Sequence, residues 1–120
     1  MHKLIILFGR PSDSIAFLTG WQAFLHMAEQ MPGLRREAVS LIESVIYAKG
    51  EAPFKIHEFY FDDRAALDAA LASDAGQQAG EWLHQFTDGN FTLLTAPHQE
   101  ATKKEIKKGF TKKKARARSA

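Results

Sequence analysis

Met31-Pro32-Gly33-Leu34-Arg35-Arg36 decides how this chain folds. Before it, Phe17, Trp21, Phe24, Ala28 and Met31 step by four, three, four and three positions, which makes one apolar stripe on a helix. Leu18 and Leu25 widen that stripe. Pro32 lacks the N–H a helix needs, and Gly33 tolerates the left-handed backbone that closes one. After it, from Leu34 to about Tyr47, apolar residues are interrupted by Glu37, Ser40, Glu43 and Ser44, which suits an edge strand. The hexapeptide is therefore a helix-to-strand junction.

Working outward, Lys3–Phe8 reads as a strand with both faces apolar: Leu4, Ile6 and Phe8 on one, Ile5 and Leu7 on the other. A strand of that kind is central. Its short apolar run stops at Gly9-Arg10-Pro11 without a small-residue cleavage site, so a buried strand is expected there and not a signal peptide. Ser12 or Asp13 can cap the helix that follows. Beyond the turn at Lys49–Pro53, Phe54–Phe61 is a second central strand. Ile56, Glu58 and Tyr60 share one face of it, and His57, Phe59 and Phe61 the other. Asp62-Asp63 caps a second helix, Ser73-Asp74 a third helical segment, and Phe91–Ala96 forms a last, edge-like strand after Asp88-Gly89-Asn90.

The order is βαββαβ. Right-handed crossovers place strands one and three at the centre and strands two and four at the edges. The expected fold is a ferredoxin-like α+β sandwich, a four-stranded antiparallel sheet with helices on one face. The other face carries alternate residues of the central strands, apolar in either register. A second copy packing sheet on sheet would cover it, so a homodimer is expected.

The chain has 120 residues, 45% hydrophobic and 25% charged, which fits one globular domain with a modest core. It has no cysteine, which excludes disulfides, thiolate metal sites and a cysteine nucleophile and is compatible with a cytoplasmic location. No apolar run is long enough to span a bilayer. The net charge of +2 hides a split. Residues 97–120 carry nine of the 16 Lys and Arg and two of the 14 acids, so residues 1–96 carry 7 − 12 = −5 and the rest 9 − 2 = +7. An acidic domain over 1–96 with a basic tail over 97–120 follows.

Taken together, Lys3–Arg10 (KLIILFGR), Met31–Arg36 (MPGLRR), His57–Asp62 (HEFYFD) and Ala69–Gly76 (AALASDAG) resemble the EthD family of dimeric α+β barrel proteins, over about residues 3–96. The resemblance implies two sheets forming a barrel, with a pocket between each sheet and its helices. It also implies association with catabolic gene sets, and related barrels include small oxygenases, isomerases and haem-degrading enzymes. In that family the first helix often carries His-x-Pro eight residues before the Pro of Pro-Gly-Leu. Here Phe24 stands at the histidine position and His26 at the proline position.

Candidate site residues are few. His26 lies off the helical stripe, on a rim or in solvent, where it could act as a general base. Glu58 and Tyr60 share a strand face; facing the helices they would put a carboxylate and a phenol in an apolar pocket, and facing a partner they would bond across an interface, the arrangement favoured. His84 is expected at a rim. His26 and Glu29 are one helical turn apart, but no histidine pair has metal-ligand spacing, so no metal site is expected. No phosphate loop or G-x-S-x-G pattern is present, and no cofactor is implied. Trp21, Phe24, Trp82 and Phe86 face inward and, with Tyr60, would shape a ligand pocket.

Two functions from different classes fit. In the first, a small apolar or aromatic molecule is bound or transformed in the sheet–helix pocket, with cofactor-free oxygenase or isomerase chemistry and His26 or Glu58 as proton carrier. In the second, a non-catalytic dimeric binding module uses its basic tail to contact an acidic partner or nucleic acid.

Overall fold

A computed structural model describes residues 1–107. The elements are β1 (His2–Phe8), α1 (Ser14–Ala28), β2 (Arg36–Leu41), β3 (Lys55–Phe61), α2 (Arg64–Ala72), α3 (Asp74–Thr87), β4 (Phe91–Pro97) and α4 (Lys103–Lys107). The sheet runs β2-β3-β1-β4 with every neighbouring pair antiparallel, so the α+β sandwich read from the strand polarity is the fold observed. β4 extends to Pro97, and α4 lies in the first part of the basic segment. The tail residues from Lys108 onward lie outside the described residues.

Local chemistry sets the helix starts. The Asp13 carboxylate accepts hydrogen bonds from the backbone N–H groups of Ile15 and Ala16, and Asp63 accepts from Ala66 N–H. Ser73 both ends α2 and accepts from Gly76 N–H at the start of α3. Each cap satisfies donors that the first turn leaves free. Helix α1 ends at Ala28, earlier than the stripe suggested, yet Met31 stays buried in the turn beyond it. Gly33 adopts φ = 79°, the left-handed conformation expected of it.

The core lies between the helices and one sheet face. Leu4, Ile6, Phe8, Phe59 and Phe61 meet Phe17, Phe24, Ala28, Leu67 and Leu83 there. Gly20 lets α1 and α3 approach closely: a Cβ at that position would sit 2.7 Å from Phe86 Cβ. The gap is bridged by Trp82, whose Nε1–H donates to the Gly20 carbonyl at 2.8 Å.

Strand β2 corrects the sequence reading. It stops at Leu41, which pairs with Lys55, the first residue of β3. After one more contact, Ile42 N–H to Phe54 C=O, the chain has no neighbouring strand to bond to. Val45, Ile46 and Tyr47, read as strand, are instead exposed, Ile46 fully so. Alternation had described the side chains, but a strand also needs a partner backbone.

Candidate functional site

The period of β3 sorts its residues between two environments. Ile56, Glu58 and Tyr60 point away from the helices; Lys55, His57, Phe59 and Phe61 point towards them. On the outer face Glu58 is tied to Lys3 at 2.5 Å. Tyr60 is buried beneath the Arg36 guanidinium, 4.3 Å from the ring centroid, with His98 edge-on at 4.9 Å. Ile5, Leu7, Ala38, Ile56, Leu94 and Ala96 complete an apolar area around this polar cluster, by the strand register.

The five predicted pocket aromatics do not form one set. Tyr60 is separated by the sheet from Trp21, Phe24, Trp82 and Phe86. Phe24 and Phe86 are core: Phe24 packs against Phe59 and Phe86, and Phe86 also against Phe8 and Phe17. The apolar void beside Phe24, Phe59 and Leu83 is only about 40 Å³ and admits no aromatic ligand. His26 is exposed at the end of α1, and exposed His84 rests edge-on against Phe91. Neither is near the buried polar groups of β3 at hydrogen-bond distance.

Those buried polar groups are His57 and Lys55, and the sequence reading missed both as candidates. His57 is fully buried, stacked on Phe59 with ring centroids 4.3 Å apart. Its Nε2 lies 3.2 Å from Glu37 Oε2 on the neighbouring strand. Burial, and then the Lys55 charge, pull its pKa down to about 4, so the ring is neutral at neutral pH. A neutral ring beside a carboxylate carries its hydrogen on Nε2 and donates it to Glu37, an assignment made from the bonding pattern. That leaves Nδ1 as a buried lone-pair nitrogen with no hydrogen-bond partner. Trp21 Nε1–H is likewise buried and unpartnered, with its ring centroid 5.8 Å from that of His57. Two adjacent rings thus each carry an unmade hydrogen bond in an apolar setting, where such bonds are costly.

Lys55 is two residues along the same strand face and only 8% exposed. Its Nζ lies 3.4 Å above the Trp21 ring centroid, and burial lowers its pKa. At the other end, Glu29 at the close of α1 is pushed above its ordinary range, first by the hydrogen bond it shares with Glu37. A buried polar cluster therefore lies where α1 meets β2 and β3. Lys55, His57 and Glu37 occupy the helix side of the sheet beside half-buried Trp21, with exposed Val39 and Leu41 on the same face of β2. Two polar residues, Lys55 and His57, at successive positions of a central-strand face that continues with Phe59 and Phe61 were the available sequence signal. Among the described residues no group of three or more His, Asp and Glu side chains is arranged to hold a metal ion, and no helix is long and apolar enough to cross a membrane.

A ferredoxin-like sheet with buried polar groups on its helix side defines the class, and comparison with known proteins sharpens it. No family model matches the chain. An uncharacterised 11.0 kDa protein from the thcB-thcC intergenic region of Rhodococcus erythropolis is 27% identical over 97 residues, covering 78% of this chain and 91% of that protein. The crystal structure of an ethyl tert-butyl ether D (EthD) family protein from Bacillus halodurans matches with a TM-score of 0.75 and 27% identity, over 82% of this chain and 99% of that one. The resemblance to the EthD family read from the sequence therefore holds. Two more distant structures share the fold. One is a cofactor-independent oxygenase from Streptomyces nogalater (TM-score 0.60, 11% identity, 85% of this chain and 96% of that one). The other is a dimeric ferredoxin-like protein from Thermobifida fusca (TM-score 0.60, 11% identity, 81% and 90%).

Proposed function

We propose that this EthD-like chain acts as a homodimer that binds a small apolar or aromatic molecule between α1 and the sheet, beside Trp21, and transforms it by proton transfer through His57. The single observation that carries this reading is the fully buried His57, with Nε2 held by Glu37 and Nδ1 without a partner among the described residues, its ring next to that of Trp21. His57 then takes the role that sequence spacing suggested for His26 or Glu58. Its Nδ1 accepts a proton from an acidified C–H or O–H of the bound molecule, and Glu37 stabilises the imidazolium that forms. The electron pair left behind moves onto a substrate oxygen, where Trp21 Nε1–H can donate to it. Returning the proton at another carbon is an isomerisation; reaction of the enolate with dioxygen is the oxygenase variant. The fold shared with a cofactor-independent oxygenase is compatible with either.

Support for the homodimer comes from the apolar outer sheet face, from exposed Val45, Ile46 and Tyr47, and from the dimeric description of a protein sharing the fold. The test is tryptophan fluorescence of the full chain titrated with small aromatic compounds. Quenching that disappears in Trp21→Phe and survives in Trp82→Phe supports binding beside Trp21. No response from Trp21 to any of them overturns it.

The charge split favours a second activity beside the first: contact of the basic segment with an acidic partner or nucleic acid. Removing residues 97–120 would then abolish salt-sensitive binding of an oligonucleotide while leaving the Trp21 response intact.

A further inference from the structure

Two parts of this chain lack a strand partner among the described residues, and they complement each other. The first is the stretch 42–47. By register Leu41, Lys55, Phe8 and Phe91 stand level across the sheet, so once Ile42 has bonded to Phe54 the chain continues past that end as an arm. The arm reads Ile-Glu-Ser-Val-Ile-Tyr, with Val45, Ile46 and Tyr47 all exposed. The second is the outer edge of β4, the last strand in the order β2-β3-β1-β4. Sheet edges are normally blunted by charges, by proline or by a covering element. β4 carries no charged residue, its one proline is its last residue, and Leu93 and Leu94 are half-exposed, one on each face. The β2 edge, by contrast, carries Arg36 and Glu37.

We propose that the arm of one protomer adds as a strand to the β4 edge of a second copy, whose own arm does the same in return. This rests on the homodimer reading above and adds to it which strands seal the pair. With the outer sheet faces together, a two-fold axis parallel to the strands brings β2 of one sheet beside β4 of the other. β1 runs antiparallel to β3 and β4, and β3 antiparallel to β2, so β2 and β4 point in opposite directions and meet as an antiparallel pair. An axis across the strands would pair like edges and leave the uncharged β4 edge without the arm. Joining two twisted sheets edge to edge tilts and staggers their strands. The overhang supplies that stagger, since a β2 ending level with Leu41 would fall short of a displaced β4. Carrying the alternation of β2 through the arm keeps Val45 and Tyr47 on the helix side with Val39 and Leu41, and Ile42 and Ile46 on the outer side. Val45 and Tyr47 then cover the partner's Leu93 and the apolar void of about 40 Å³ that it lines with Ala79 and Gly80. Ile46 joins Ile5, Leu7 and Leu94 in the apolar space between the two sheets.

The chain has no cysteine, so cross-linking sites can be introduced cleanly. Glu43→Cys in the arm and Thr95→Cys in β4 each replace an exposed polar residue. The two single variants of the full chain are co-expressed so that mixed dimers form, treated with a short bis-maleimide and run on a denaturing gel. A covalent dimer should appear in the mixture and in neither variant alone, because the arm meets β4 and neither meets its own copy. Covalent dimer from Glu43→Cys alone puts arm against arm and overturns the proposal. A ladder of larger species from the double variant shows open-ended edge pairing and overturns it too. No cross-link in the mixture, with the unmodified chain at dimer mass by sedimentation equilibrium, overturns the arm exchange and leaves the homodimer standing. An unmodified chain at monomer mass overturns both.

Discussion

His57 Nε2 and Glu37 Oε2 lie 3.2 Å apart on adjacent strands, and the second ring nitrogen of His57 has no partner among the described residues. One side of the imidazole is therefore oriented by the protein and the other is buried with its lone pair unused. A histidine serving only to fill the core would have both nitrogens satisfied or would be an apolar residue.

Because Glu37 holds the only partnered nitrogen of His57, Glu37→Ala should destabilise the fold by about 1–3 kcal/mol, the cost of leaving a buried donor unmet. Glu37→Gln keeps an acceptor oxygen and should cost less. Urea denaturation of the two variants side by side makes the comparison.

Stability should fall on mild acidification. With a folded pKa near 4 against an ordinary 6.5, His57 binds more proton in the unfolded state across that window. Stability from this residue is thus complete above about pH 6.5 and declines as pH falls towards 4, by about 2 kcal/mol between pH 7 and pH 5. Thermal melts across that range should show the slope, and His57→Phe should flatten it. A His57 ring that titrates by NMR near pH 6.5 in the native protein would remove this pH dependence.

Gly20→Ala should destabilise by roughly 1–3 kcal/mol, since the new methyl group would collide with Phe86. Part of that cost should persist in a Phe86→Ala background, because alanine keeps the Cβ that lies 2.7 Å away, and the rest, due to the ring, should vanish. A double-mutant cycle read by chemical denaturation tests the partition.

If the outer sheet face is a dimer interface, Leu94→Lys should lower the mass measured by sedimentation equilibrium to that of a monomer. Leu94 is 44% exposed in the single chain, so its replacement leaves the helix-side core untouched and circular dichroism should be unchanged. Equal mass for wild type and variant, at monomer size, would dismiss the dimer.

The functional consequences depend on which part of the molecule each sequence signal could reach. Alternation in Lys3–Phe8 and Phe54–Phe61, the helical stripe from Phe17 to Met31 and the Pro32-Gly33 stop were enough to order the elements, because each reports local periodicity. Strand β2 was overextended to Tyr47 because periodicity says nothing of where a neighbouring strand ends. Tyr60 was grouped with Trp21 because its sheet face depends on register against β1. Glu37, in an edge strand, and His57, in a central one, carry no local sign that they meet across 20 positions of sequence.

The sequence by itself determined the βαββαβ order, the central and edge strands and the acidic–basic division of charge, all of which follow from side-chain pattern along the chain. Only the tertiary structure decided that His57 and Lys55 face the helices while Glu58 and Tyr60 face away. Among the described residues it also left one nitrogen of His57 without a hydrogen bond and Lys55 without an ion pair. The physical reason is that a strand's two faces are equivalent until a sheet is assembled and one of them is covered.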